Sequence, residues 1–188
     1  MDWLDDMDIN LSLKIIADSS PDAAMVGYPI PPQSKISTLI CSSFYFESLR
    51  LRGMECISKW VEGLDLSKIN SIIFPVYSEN HWSLCYIDVK KETAKVFDSL
   101  RPCHLEISSV LLLHSHVKKV LYSSKCTQQK NGSDCGRYVL YYARCLVANK
   151  RDRVNREVPP KFLYKLQKWI KKRREECAEK ERKELNNV

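Results

Sequence analysis

No stretch of the 188-residue chain approaches the ~18 consecutive apolar residues that a membrane-spanning helix requires, so the sequence offers no transmembrane candidate. An apolar leader is also missing. Met1-Asp2-Trp3-Leu4-Asp5-Asp6 is acidic and does not read as a secretory signal. The expectation is therefore retention in the nucleus or cytoplasm, where thiols stay reduced. The eight cysteines stand at positions 41, 56, 85, 103, 126, 135, 145 and 177, and no two form a Cys-x-x-Cys pair. That removes the common zinc and redox motifs. Cys103-His104 and His114-Ser115-His116 have no further ligands at finger-like spacing, so no metal and no other cofactor is expected. Internal repeats and low-complexity tracts are lacking too. What is left is a globular chain of about one domain, whose 44% apolar residues suffice for a sizeable core.

Charge is present in excess of one sign. The net value is +7, and the surplus lies toward the C-terminus. Positions 161–182 alternate bases and acids at helical spacing, which reads as a solvated helix laced with i,i+4 ion pairs. A nucleic-acid surface is the weaker reading, because Glu175, Glu176, Glu179, Glu181 and Glu184 dilute the field. No nucleic-acid partner is expected, and the chain is read as a monomer.

The chain is organised around Gln128-Gln129-Lys130-Asn131-Gly132-Ser133-Asp134-Cys135-Gly136. Asn131-Gly132 marks a turn, and Ser133 or Asp134 is placed to cap a helix that begins near Arg137. Cys135 then lies in a first helical turn, where unpaired N–H groups and the positive end of the helix dipole favour thiolate over thiol. A nucleophilic cysteine and an inert buried one both fit this stretch taken alone.

Taken in order, the chain first shows a short helix (Ile9, Leu13, Ile16) capped by Asp5 or Asp6. A loop is expected over 18–34, where Pro29, Pro31 and Pro32 forbid a helix interior. Helices are expected from Ser37 to Leu51 and from Glu55 to Glu62. The period then changes. Strands are expected at 71–77, 82–89, 94–98 and 116–123, with Pro75 marking the first as an edge or bulged strand. A helix over 104–113 separates the last two strands. Residues 136–148 form a helix with Val139, Leu140, Ala143, Leu146 and Val147 on one face. A last helix follows Pro159-Pro160, from about Phe162 to Leu185.

This order carries a geometric consequence. Strand, helix and strand over 94–123 make a β-α-β unit with parallel strands, whose C-terminal ends share one edge. Asp98 sits at that edge and the Gln128-Gln129 segment leaves it. The helix of Cys135 returns from it, and the strand antiparallel to 94–98 begins there, just after His81. His81, Asp98, Gln129 and Cys135 thus converge as base, orienter, amide donor and nucleophile, the roles of cysteine proteolysis. A tight hairpin centred on Lys91-Glu92 puts Asp98 opposite Cys85, so a bulge or a bend at His81 is expected to close the gap.

These residues carry a family resemblance. Trp3-Leu4-x-Asp6, His81-Trp82-Ser83-Leu84, Asp98-Ser99 seventeen residues after the histidine, and Gln129-x-Asn131-x-x-Asp134-Cys135-Gly136 resemble the ubiquitin-like-modifier-specific cysteine proteases. That family processes and removes SUMO (the sentrin-specific group) or the Nedd modifier. The resemblance runs from Trp3 to about Arg174. It implies an α+β fold with a papain-like core, a central mixed sheet flanked by helices, and the nucleophile at a helix N-terminus. It further implies one peptidase domain over 1–188, with a mainly helical part at 1–70, a catalytic core at 71–150 and a basic C-terminal helix at 151–188.

Carried over by residue, Cys135 is the nucleophile, His81 the general base and acid, Asp98 its orienter and Gln129 an oxyanion donor. Trp82 and Trp3 resemble the residues that cover a tunnel admitting only a diglycine tail, and Asp6 matches a position that contacts that tail. Asp5 departs from the family's usual asparagine, and the segment between Asp98 and Gln129 is short. The Gln-Gln-x-Asn-Gly-Ser-Asp-Cys-Gly wording resembles the SUMO branch and the short chain the Nedd branch; the expectation leans to SUMO. The rival readings are a modifier-binding module without turnover and a thiol acyltransferase.

Overall fold

The computed structural model describes residues 3–28, 35–62, 64–100 and 105–185. The chain divides into two compact units, Met1–Glu157 and Val158–Val188.

The first unit is built on a six-stranded mixed sheet whose strands lie in sequence order. They are β1 (Ala23–Met25), β2 (Thr38–Ile40), β3 (Ser71–Ser78), β4 (His81–Asp88), β5 (Thr93–Phe97) and β6 (Lys119–Tyr122). β1, β2 and β3 run parallel, β4 is antiparallel to both β3 and β5, and β6 is parallel to β5. The helices of this unit are α1 (Asp6–Asp18), α2 (Phe44–Trp60), α3 (Leu105–Leu111) and α4 (Cys135–Val147). The β5–α3–β6 crossover is the β-α-β unit expected from the sequence. β4 is central and buried along nearly its whole length, as a strand apolar on both faces must be.

Several expectations give way. Residues 37–41 are not the start of a helix: Thr38–Ile40 pairs between β1 and β3, and α2 begins only at Phe44. A short apolar run such as Leu39-Ile40-Cys41 does not distinguish a buried strand from a buried helix turn. The stretch read as a loop over 18–34 contains β1, which exists because β2 lies beside it; Pro29, Pro31 and Pro32 lie outside the described residues. The expected break between two helices is a kink inside α2, where Gly53 takes φ +64°. Pro75 does not put β3 at the edge. β2 pairs only as far as Ile73, so the proline occupies the part of β3 that β2 no longer accompanies.

The register of β4 and β5 removes the expected gap at His81. Their turn spans four residues, with Glu92 at φ +50°, and the pairing ends at Leu84↔Phe97. One further step sets Asp98 across from Ser83, not Cys85. His81 is two residues from Ser83 and therefore on the same side of the strand, a diagonal neighbour of Asp98. No bulge is needed. At the other end of β4's first residues, Glu79 and Asn80 both adopt positive φ, the two-residue hairpin turn whose twist matches the strands it joins. His81 is thus the first residue of β4, paired with Ser78, rather than a loop residue before the strand.

Helix α4 is the central helix. Every residue from Cys135 to Val147 except Arg144 is buried, so burial extends well beyond the expected face of Val139, Leu140, Ala143, Leu146 and Val147. It packs on β4 and on α1. Gly136 permits the second contact, because a Cβ there would stand 3.1 Å from Leu4 Cβ and 3.2 Å from Ile9 Cδ1. Asp5, not Asp6, caps α1: its carboxylate accepts from the Asp8 N–H at 2.8 Å, and Asp8 reciprocates toward the Asp5 N–H.

A cluster of apolar side chains gathers Tyr45, Phe46 and Leu49 of α2 with Phe74, Cys85, Ile87 and Val96 of the sheet and Ile107 and Leu111 of α3. His114 is buried beside it. Its Nε2 meets the Tyr45 hydroxyl at 2.9 Å, and its Nδ1 accepts the His116 N–H at 3.2 Å. Cys41, Cys85, Cys126, Cys135 and Cys145 are all free thiols, and no metal-binding cluster occurs among the described residues. Cys103-His104 and the side chains of Cys56 and Cys177 lie outside the described residues.

The second unit is α5 (Pro160–Leu185), which opens on a proline, favoured at a first helical position because its missing N–H costs no bond there. Glu176 pairs with Arg173 at 2.9 Å and with Lys172 at 3.7 Å, and the Arg173 guanidinium lies over the Trp169 ring. Such exposed pairs contribute little stability singly. No described helix is long and apolar enough to cross a membrane.

Candidate active site

β4 supplies a histidine at its first residue, β5 an aspartate just past its last, and α4 a cysteine at its first. His81 Nε2 lies 2.8 Å from Asp98 Oδ1, with both side chains buried. The same Oδ1 accepts the Leu100 N–H at 2.8 Å, which fixes the carboxylate from its own loop. With Nε2 committed to Asp98, Nδ1 is the ring nitrogen left to face Cys135, and the two groups act on each other's proton affinity. The backbone N–H groups of Trp82 and Gly136 also favour the thiolate there. The first comes from the part of β4 that β5 does not reach, the second from the opening turn of α4.

These contacts set the charge. Burial pushes the Cys135 thiol up, but the His81 hydrogen bond, the two backbone N–H groups and the His81 charge outweigh it, and the thiol's pKa falls below its ordinary value. Burial likewise opposes charge on His81. The hydrogen bonds to Asp98 and Cys135, together with their charges, prevail and raise its pKa from 6.5 to about 9. The two shifts point the same way, toward a thiolate beside an imidazolium.

The turn before α4 is held from within. Asn131 Oδ1 accepts the N–H groups of Ser133 and Asp134 at 3.1 and 3.0 Å, and Asn131 Nδ2 donates to Asp134 Oδ2 at 2.8 Å. Asp134 occupies the cap position of α4, yet its carboxylate does not cap the helix as expected. It binds the Arg137 guanidinium at 2.8 Å in a buried pair. Sequence reasoning missed this pair, although an acid and an arginine three apart at a helix start signal it. Removing one partner from such a pair strands a buried charge, at a cost of roughly 3–5 kcal/mol.

Gln129 is buried next to this turn. Its Nε2 donates to the Asn131 carbonyl at 2.6 Å, and its Oε1 accepts the Ser99 hydroxyl at 2.5 Å. Its neighbour Gln128 points elsewhere, donating to the carbonyls of Asp98 and Cys126 at 2.9 and 3.0 Å. Trp82 is buried, with its indole N–H on the Leu4 carbonyl at 3.0 Å and its ring 4.7 Å from that of Tyr77. That bond ties the N-terminal segment to the start of β4, one residue from His81. Trp3, in the same segment, leaves 47% of its surface exposed, and Asp6 is exposed in the first turn of α1. The structure thus sets His81, Asp98, Gln129 and Cys135 at the sheet end with Trp82 beside them, and Trp82 is tied through Leu4 to the segment that carries Trp3 and Asp6.

A mixed sheet, a central helix carrying a cysteine at its N-terminus, and a histidine–aspartate pair on neighbouring strands define the class: the papain-like cysteine-peptidase fold. Comparison narrows it. The description "Ulp1 protease family, C-terminal catalytic domain" matches residues 2–181, and the chain belongs to that family. Sentrin-specific protease 3 of Homo sapiens is 24% identical over 181 residues, covering 89% of this chain and 29% of the relative. Sentrin-specific protease 5 of Homo sapiens is 28% identical over 181 residues, covering 89% and 22%. The chain therefore spans less than a third of the length of these relatives. Among solved structures, the SUMO protease Ulp1 with its catalytic cysteine oxidised to a sulfinic acid superposes with a TM-score of 0.68 at 25% identity, covering 89% of this chain and 75% of that one. The C-terminal Ulp1 protease domain in complex with Smt3, the yeast orthologue of SUMO, gives 0.61 at 26% identity, covering 78% and 66%.

Proposed function

We propose that the chain hydrolyses the peptide or isopeptide bond following the C-terminal diglycine of a SUMO-type modifier. The observation that carries this is the His81 ring held by Asp98 at 2.8 Å, with Cys135 at the start of α4 close enough for each to shift the other's pKa. The named activity of the relatives supplies the substrate class. On this reading the Cys135 thiolate attacks the carbonyl carbon of the terminal glycine, and the carbonyl π electrons move onto oxygen. The Cys135 N–H and the remaining N–H of the Gln129 amide stabilise that oxyanion. Collapse breaks the C–N bond, and His81 gives its proton to the leaving amine. Water then attacks the thioester, losing one proton to His81; collapse breaks the C–S bond and frees the Cys135 thiolate, and the modifier leaves with its new carboxyl giving its proton to solvent.

Tail selection falls to Trp82 and Trp3. An indole pinned by the Leu4 carbonyl beside the nucleophile leaves room for backbone without side chains, which glycine alone satisfies. Asp6 is assigned to the modifier's tail near its entry. The partners are SUMO and its conjugates, and the placement that goes with them is nuclear or cytoplasmic.

The test is a panel of ubiquitin, SUMO and Nedd, each tipped with a C-terminal electrophile. Capture of SUMO by the wild-type chain, and of none by Cys135→Ala, is expected, together with cleavage of a SUMO precursor by the wild type only. Capture of Nedd alone would redirect the substrate. Turnover retained in Cys135→Ala would overturn the nucleophile, and binding without capture would make the chain a recognition module.

A further inference from the structure

The Gln129 amide faces a choice that its own side chain cannot make. Rotation about its last torsion is soft, and a half-turn exchanges Nε2 for Oε1. One orientation offers an N–H to a developing oxyanion, and the other offers a lone pair that repels it. One neighbour discriminates between the two, and a second holds the amide in the orientation so chosen. The Asn131 carbonyl accepts from Nε2 at 2.6 Å and cannot serve an oxygen in its place. The Ser99 hydroxyl, itself buried, donates to Oε1 at 2.5 Å.

Ser99 is also tied to Gln129 through the backbone, where the Gln129 N–H donates to the Ser99 carbonyl at 3.0 Å. Gln128 Nε2 meets the carbonyl of Asp98, the next residue back, at 2.9 Å. Two dipeptides, Asp98-Ser99 and Gln128-Gln129, are thus laced together, so the segment that orients His81 also holds the amide. A hydrogen bond into the amide oxygen further polarises its N–H groups and makes the free one a better donor.

We propose that Ser99 is a positioning residue of the oxyanion site, its hydroxyl holding the Gln129 amide with Nε2 toward the reacting carbonyl. This rests on the proteolytic reading above. Ser99 touches no reacting atom and acts through Gln129 alone.

The experiment measures kcat and KM on a SUMO precursor for wild type, Ser99→Ala, Gln129→Ala and the double variant, with iodoacetamide alkylation of Cys135 across pH alongside. Alkylation forms no oxyanion, so it reads the Cys135–His81 pair and the intact site without Gln129. Ser99→Ala is expected to lower kcat about 10- to 100-fold with KM unchanged, and Gln129→Ala about 100- to 1000-fold. The double variant should be no slower than Gln129→Ala. Ser99→Cys, which keeps a weak donor, should fall between Ser99→Ala and wild type. The alkylation rate and its pH profile should match wild type in every Ser99 variant. A kcat within twofold of wild type in Ser99→Ala, multiplicative losses in the double variant, or a shifted alkylation profile would each overturn the proposal. Failure of the wild-type chain to cleave any diglycine substrate would instead overturn the proteolytic reading, and this proposal with it.

Discussion

Two buried histidines in one small protein end up in opposite states. His81 is 7% exposed and His114 2%, and each ring is hydrogen-bonded. Burial alone would strip the proton from both. His114 obeys it: facing the Tyr45 hydroxyl and near the His116 ring, it has a pKa lowered from 6.5 to about 4. His81 defies it, rising to about 9, because its partners are a carboxylate and a thiolate-forming sulfur. Burial decides the charge of a histidine only where no partner opposes it; a carboxylate on one nitrogen reverses the outcome. One ring is thereby held neutral in the core, and the other is poised to carry a proton in the proposed reaction.

The largest expected break in this contrast is Asp98→Asn. It keeps the shape of the orienter and removes its charge, so His81 should behave more like His114. By analogy with other triads, kcat should fall on the order of 10³- to 10⁴-fold. The Cys135 pKa, read by alkylation, should move back up as the imidazolium is lost. A loss under tenfold would mean that Asp98 does not orient His81.

Next in size is the pH response of the wild-type site. Turnover needs the thiolate, present above the lowered Cys135 value, and the imidazolium, present below about 9. Activity should therefore rise as pH passes the lowered Cys135 value and fall as pH rises through about 9, approaching tenfold per pH unit above it. A kcat still rising at that pH would refute the protonated His81.

The smallest effect sharpens the other side. An unfolded chain takes up a proton on His114 near 6.5, the folded one only near 4. The stability this provides is whole above 6.5 and drains as pH falls toward 4, on the order of 3 kcal/mol across that window. His114→Phe should flatten this acid slope in denaturant titrations. It should cost roughly 1–3 kcal/mol at neutral pH, by leaving the Tyr45 hydroxyl without its partner. kcat and its alkaline limb should not move. A change in that limb would link the two histidines after all.

How much of this was legible beforehand depended on range. The turn at Asn131-Gly132, the cysteine at a helix start and the crossover from β5 to β6 are local or near-local patterns, and each is written in turn formers and apolar period. β1 and β2 were illegible because three-residue strands carry no period; only pairing with β3 makes them strands. Asp134 was legible as a cap by type and position, but the buried Arg137 outcompeted the helix N–H groups for its carboxylate.

By itself, then, the amino-acid sequence determined which groups the site would hold and near which sheet end: His81, Asp98, Gln129 and Cys135 follow from element order and chain direction. Only the tertiary structure decided how they meet. The four-residue turn ending at Glu92 set a register that makes His81 and Asp98 diagonal neighbours, where a two-residue turn would have parted them. Packing likewise decided which of two adjacent glutamines met Ser99, and which of two buried histidines kept its proton. The physical reason is the same in each case. Residue type settles what a side chain is able to donate or accept, while register and burial settle what stands 3 Å away.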